Sequence, residues 1–138
     1  WAVRCAIPIP AGSFVAEYHG LVITDKEAEE LRNKEVEDPD MYLFELDGEA
    51  MASGDTERKK ENMLCVDARD VGNVGRFFNH SCEPNLFIQN VHVAQTIPPI
   101  PLPPRWPVLC LFALRRIDAG EELTYDYGYL LKKLKNES

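Results

Sequence analysis

No apolar run in this chain approaches the ~20 residues a membrane-spanning helix needs, and the longest stop near the length of Val108 to Leu114. No basic-then-apolar leader opens the chain either. A soluble fragment without a membrane partner is therefore expected. Cysteine pairs are also missing. Cys5, Cys65, Cys82 and Cys110 are widely spaced with no Cys-x-x-Cys among them, which excludes a compact disulfide scaffold and a self-contained zinc site and favours a reducing, intracellular setting. Basic residues are outnumbered, with 15 Lys and Arg against 23 Asp and Glu for a formal charge of −8. The imbalance sits between Asp25 and Glu61, where 14 acidic residues face 6 basic ones. Such a surface repels phosphate backbones, so direct nucleic-acid binding is not expected, and it steers basic chains inward. The plain alternative is that these acids only keep a surface segment solvated.

At 138 residues the chain suffices for one domain with a core, burying roughly two-thirds of its unfolded surface. The turn signal Pro10-Ala11-Gly12 precedes one or two strands between Ser13 and Ile23, broken around Gly20. Thr24-Asp25-Lys26-Glu27 has the capping-box pattern and opens a short helix, which Asp38-Pro39-Asp40 stops. Tyr42 to Asp47 alternates with period two, and Met63 to Ala68, Leu86 to Val93 and Val108 to Leu114 are further strand candidates. Glu49 to Asn62 reads as a loop. Six of the ten prolines crowd between Pro98 and Pro107, a composition that suits a stiff extended connection. Ile9-Pro-Ala-Gly12 and Ile117-Asp-Ala-Gly120 look alike, but two short matches do not make a repeat. The ending, Leu130 to Lys135, is a basic amphipathic stretch.

Two runs carry chemistry. From Arg76 to Asn85 the chain reads Arg-Phe-Phe-Asn-His-Ser-Cys-Glu-Pro-Asn, a turning polar segment with two amides, an imidazole and a thiol around one proline. From Glu122 to Tyr127 it reads Glu-Leu-Thr-Tyr-Asp-Tyr, which puts two phenols on one face of an extended strand. Read alone, Tyr127 is a core-edge tyrosine and His80 a structural histidine. Together, in this order, the runs suit chemistry on an amine.

Both motifs resemble those of the SET-domain protein lysine methyltransferases, and most closely the heterochromatin (suppressor-of-variegation) class, over Trp1 to Tyr129. The Trp1-Ala2-Val3 start and the Tyr125-Asp-Tyr-Gly-Tyr129 ending look most like plant members. The resemblance implies a mainly β fold, β-clip-like, of several small curved sheets with one or two short helices and a knot-like crossing where the two motifs meet. The SET domain would be residues 1–129 and the tail 130–138. It also implies S-adenosyl-L-methionine as cofactor, a lysine of the histone H3 tail as substrate, mono- or dimethylation as product, and a nuclear, chromatin location.

By resemblance, Tyr127 is the catalytic tyrosine, orienting the amine and the methyl group. Tyr125 occupies the position that is phenylalanine or tyrosine and limits product methylation. Asn79 and His80 hold the cofactor, largely through backbone groups, with the Asn79 amide adding side-chain contacts. Tyr42 touches the cofactor near its methyl end, and a core-strand tyrosine is the alternative there. Trp1 and Ala2 match the cofactor loop, with Ala2 in place of a glycine. Arg76 contacts the cofactor side or an internal carboxylate, while Phe77 and Phe78 read as core. Cys82 matches a zinc ligand that works only with three further cysteines from a tail, and no cysteine follows Cys110 here. Glu83 and Asp126 read as structural.

Two other readings compete. One is a catalytically weak SET-fold chromatin interaction module, which Ala2 favours and Asn79, His80 and Tyr127 oppose. The other is a cysteine hydrolase using Cys82 and His80, disfavoured because residues two apart rarely aim at each other and no nucleophile turn is present.

Overall fold

Short strands dominate the computed structural model, which describes residues 1–34, 42–46, 64–91 and 107–127. In chain order the elements are β1 (Phe14–Glu17), β2 (Leu21–Thr24), α1 (Asp25–Lys34), β3 (Leu43–Leu46), β4 (Leu64–Asp67), a 3-10 turn (Val74–Phe77), β5 (Asn79–His80), β6 (Leu86–Val91), β7 (Val108–Ala113) and β8 (Thr124–Tyr125). The expectation of a mainly β fold with one or two short helices agrees with this. The expected helix stop at Asp38 to Asp40, the expected loop from Glu49 to Asn62, the proline-rich stretch before Pro107 and the ending after Tyr127 lie outside the described residues. Among the described residues, no helix is long and apolar enough to cross a membrane. The described residues fall into two compact units, one within 1–18, 73–89 and 110–127 and the other within 19–72 and 90–109.

The second unit is built on a three-stranded antiparallel sheet in the order β2-β4-β3. Val22 and Phe44 both face Val66 in register, and Ile23 and Glu45 face Cys65. The break at Gly20 separates β1 from β2, as the alternation suggested. The capping box forms in both directions. The Thr24 backbone N–H donates to Glu27 Oε2 at 2.8 Å, and the Glu27 N–H donates to Thr24 Oγ1 at 3.3 Å. These bonds satisfy donors that a helix start leaves without intrahelical acceptors. Ala28 turns inward from α1 onto Leu43 and Cys65, with Ile23 beside them, while Glu27, Glu29 and Glu30 stay exposed.

The first unit carries the five-stranded sheet, ordered β1-β7-β6-β8-β5. β7 runs antiparallel to β1, with Phe14 opposite Phe112 and Glu17 opposite Cys110. Its central position agrees with its apolar composition, since Leu111 and Ala113 are fully buried. Phe78, Leu86 and Ile117 are buried here too, each worth about 1.5–3 kcal/mol relative to exposure. The two look-alike turns face each other. The Ile9 N–H donates to the Ile117 carbonyl at 2.8 Å, and the Ile117 N–H donates back at 2.9 Å. Gly12 and Gly120 follow with φ of 78° and 87°, a left-handed backbone that disfavours any residue with a Cβ.

Candidate active site

β8 decides the site, because it lies between β5 and β6 and runs parallel to both. Asn79 faces Thr124 and His80 faces Tyr125 on one side, and Leu86 faces Tyr125 on the other. The short link 81–85 must therefore cross over β8 to join its two neighbours, and this is the expected knot-like crossing. Asn85, 3% exposed, secures it. Its Nδ2 donates to the Glu122 carbonyl at 2.8 Å, its Oδ1 accepts from the Thr124 N–H at 3.0 Å, and its own carbonyl accepts from the Leu114 N–H at 2.9 Å. One buried carboxamide thus uses both of its ends to hold a strand that arrives some forty residues later, and the Ser81 N–H adds a bond to the Tyr125 carbonyl at 3.2 Å.

The phenol of Tyr127 turns inward from that strand. Its hydroxyl donates to the Phe78 carbonyl, one residue before Asn79, its ring lies 4.7 Å from that of Tyr125, and the His80 ring lies 5.2 Å away. The Tyr127 N–H donates to His80 Nδ1 at 3.0 Å. Because Nδ1 accepts that bond, the neutral imidazole carries its hydrogen on Nε2. Asp126, 3.7 Å from the same Nδ1, is beyond hydrogen-bonding distance.

Tyr125 is 4% exposed. Burial, reinforced by Tyr18 and Tyr127, holds its phenol far above the ordinary range near 10, so the hydroxyl stays neutral at any working pH. The linkage sign follows. Above about pH 10 the unfolded chain would lose this proton while the folded one keeps it. Stability supplied by the neutral phenol is complete below that pH and is lost as pH rises. Urea titrations at pH 9, 10 and 11 should show the unfolding midpoint falling, and Tyr125→Phe should flatten the fall. Equal slopes for the two proteins would count against this burial.

At the other end of β5, Asn79 Nδ2 donates to the Trp1 carbonyl at 2.9 Å and to Glu122 Oε1 at 2.8 Å. The N-terminal segment is tied to the β8 region as well, through the Leu123 N–H donating to the Val3 carbonyl at 2.8 Å and the Arg4 to Glu122 bridge. Trp1 is fully exposed, with its ring 6.5 Å from that of Phe77. Arg76 lies 5.0 Å over the Phe77 ring, within cation–π range.

The expectation that Phe77 and Phe78 are both core needs correction. Phe78 is 2% exposed but Phe77 is 37% exposed. The 3-10 turn ends at Phe77 and the backbone becomes extended at Phe78, so consecutive side chains point apart and only one reaches the core. A second correction concerns Cys82 and His80, which do meet, with Sγ 3.5 Å from Nε2. The extended pair Asn79–His80 followed by a tight link folds the thiol back onto the ring. The tautomer still opposes a hydrolase, since Nε2 donates toward sulfur and has no lone pair to take the thiol proton.

Trp1, Asn79, His80, Arg76, Tyr125 and Tyr127 all belong to the first unit. Tyr42 belongs to the second, half-buried at the head of β3, where its carbonyl accepts from Ala68 at 3.0 Å. Ala2 is exposed. Among the described residues no three metal-ligating side chains cluster, so a zinc ion at Cys82 would need ligands from outside them. Two residues with no role read from the sequence, Glu122 and Asn85, turn out to be the hubs. Both stand inside the two runs singled out above, but nothing in their spacing says that they meet.

The family model described as "SET domain" matches residues 1–128. The chain belongs to the SET-domain family. Among its relatives, human EHMT1, named a histone-lysine N-methyltransferase, is 42% identical over 93% of this chain and 8% of its own length. SUVH5 of Arabidopsis thaliana, named a histone-lysine N-methyltransferase specific for H3 lysine-9, is 38% identical over 97% of this chain and 14% of its own. A crystal structure of Arabidopsis thaliana SUVH6 in complex with SAM superposes with a TM-score of 0.65 at 39% identity, over 94% of this chain and 25% of that one. The chain thus spans a small fraction of the length of these relatives. The heterochromatin-class resemblance and the SET fold read from the two motifs agree with these comparisons.

Proposed function

We propose that this SET domain is a protein-lysine N-methyltransferase that uses S-adenosyl-L-methionine to modify a lysine of the histone H3 tail, adding one or two methyl groups, in the nucleus at chromatin. Relatives carrying that enzyme name across nearly the whole chain support the activity, and the SAM complex of SUVH6 supports the cofactor. The observation that carries the reading is the Tyr127 hydroxyl donating to the Phe78 carbonyl, beside Asn79.

The donor set fits the cofactor. β5 is an edge strand of its sheet, so one side of its backbone is left for a ligand. Asn79 and His80 on it are exposed, and Trp1 and Phe77 offer aromatic surface nearby. Backbone amides and carbonyls flanked by rings suit a purine and an amino-acid moiety. Asn79, His80, Trp1, Ala2 and Arg76 would hold it.

When bound, S-adenosylmethionine supplies an electrophilic methyl group on a sulfonium. The protein must place the lysine amine in line with it and see the amine neutral. A free lysine has pKa ~10.4, and the apolar ring surface of Tyr125 and Tyr127, 4.7 Å apart, would disfavour the ammonium by desolvation. Tyr127 spends its one hydrogen on the Phe78 carbonyl, so its oxygen faces the amine as an acceptor and not as a donor. That orients the nitrogen lone pair toward the methyl group. Tyr127 keeps its own proton on the Phe78 carbonyl, so it does not act as the base and the amine's proton leaves through water. Tyr125, buried and neutral, takes up space or orders a water where a second or third methyl group would go. The acidic stretch around α1 draws in a basic tail.

Calorimetry with S-adenosylmethionine followed by mass spectrometry of an H3 tail peptide tests this. Mono- and dimethyl products are expected, and Tyr125→Phe should shift the product one methyl higher. Cofactor binding without any transfer to H3 peptides would favour the chromatin interaction module that Ala2 first suggested. An absence of cofactor binding would sink both the cofactor and the reaction.

A further inference from the structure

Both amide hydrogens of Asn79 are already committed, one to the Trp1 carbonyl at 2.9 Å and one to Glu122 Oε1 at 2.8 Å. A peptide carbonyl and a carboxylate can only accept. Turned the other way, the carboxamide would aim its oxygen at two acceptors. The Asn79 side chain therefore has one satisfactory orientation, with Nδ2 toward Trp1 and Glu122 and Oδ1 left over. Glu122 does not float. Its carbonyl takes the Asn85 carboxamide at 2.8 Å, its backbone forms an isolated antiparallel β-bridge with Arg4, and the next residue donates to the Val3 carbonyl. A carboxylate on so restrained a backbone is a fixed acceptor.

We infer that Glu122 is a positioning residue for cofactor binding: its carboxylate fixes the Asn79 carboxamide, so that this side chain meets the ligand as an acceptor while the Trp1 carbonyl is held beside it. The inference deepens the proposed function and rests on Asn79 facing the cofactor. Glu122 touches no reacting atom. Its loss should weaken binding and leave the transfer step alone. A ligand group that donates, such as an amino-acid ammonium, matches the orientation, whereas a carboxylate or phosphate would face a like-signed oxygen.

Three variants and three measurements test it. Glu122→Ala removes the acceptor, Glu122→Asp withdraws it by one methylene, and Glu122→Gln keeps an accepting oxygen at full length. Asn79 is exposed and water competes for its bonds, so the loss expected of Glu122→Ala is roughly tenfold in the Kd for S-adenosylmethionine and S-adenosylhomocysteine. Glu122→Asp should follow it, and Glu122→Gln should stay within about threefold of wild type. At saturating cofactor, kcat should hold within about twofold for all three.

In nitrogen-15 spectra, the Asn79 side-chain amide signals should move in Glu122→Ala and Glu122→Asp. Those of Asn85, bonded to the Glu122 backbone, should stay in place and certify the fold. If Glu122→Ala does not fold, Glu122→Asp decides. Unchanged Kd in the shortened variants, or Asn79 amide signals that do not move, would overturn the inference. If wild type bound neither ligand the functional reading would fall, and the Asn79 signals would still decide whether Glu122 orients the carboxamide.

Discussion

Tyr127→Phe lowers methyl transfer to an H3 peptide by roughly 10²–10³-fold, the usual cost of removing one preorganised polar group at a reacting centre, while cofactor Kd stays within about twofold. The substitution keeps the ring, and with it the contacts to Tyr125 and His80 at 4.7 and 5.2 Å. It keeps the backbone bond to His80 Nδ1 as well. Only the oxygen goes, and with it the atom that faces the amine, the donor to the Phe78 carbonyl and the hydrogen bond with the Tyr125 hydroxyl. Single-turnover transfer at saturating cofactor, beside calorimetry, separates chemistry from binding. A variant that transfers at the wild-type rate would remove Tyr127 from the reaction. One that loses binding and transfer equally would make the hydroxyl a scaffold for Phe78 and Asn79.

Asn85→Ala should unfold the crossing before it touches chemistry. The carboxamide is 3% exposed and answers the Glu122 carbonyl and the Thr124 N–H together. Removing it deprives both of that partner, at a combined cost of roughly 2–4 kcal/mol, or roughly 8–15 °C in Tm for a domain of this size. Asn85→Asp sharpens the test, because it keeps the acceptor for Thr124 but turns a buried carboxylate oxygen onto the Glu122 carbonyl, so a loss at least as large as that of Asn85→Ala is expected. If differential scanning calorimetry finds Asn85→Ala within about a degree of wild type, some other contact holds β8 between β5 and β6. Activity losses in Asn85→Ala should track the unfolded fraction, unlike those of Tyr127→Phe.

Local signals were legible wherever the cause was local. The capping box at Thr24 and Glu27 is complete within four consecutive residues, and its bonds form as the pattern says. The apolar run of β7 is buried because no other place would take it. The two motif runs were legible because backbone turns and paired phenols are built from adjacent residues. Phe77 and Phe78 were misread together because the sequence alone does not say where a 3-10 turn hands over to extended chain. Cys82 and His80 were separated in expectation and joined in fact for a similar reason: two residues apart means opposite or adjacent depending on one backbone turn. Ile9 and Ile117 looked like a coincidence of wording until the fold paired them.

What the amino-acid sequence determined by itself is the chemistry available: two phenols spaced to share a strand face, an amide beside an imidazole, and an acidic surface. Which atom each group offers was decided only by the tertiary structure. Asn79 becomes an acceptor because Glu122 and Trp1 consume its hydrogens, and Tyr127 becomes one because Phe78 consumes its own. Hydrogen bonds between residues forty or more positions apart depend on where strands are laid down, and no local spacing encodes that.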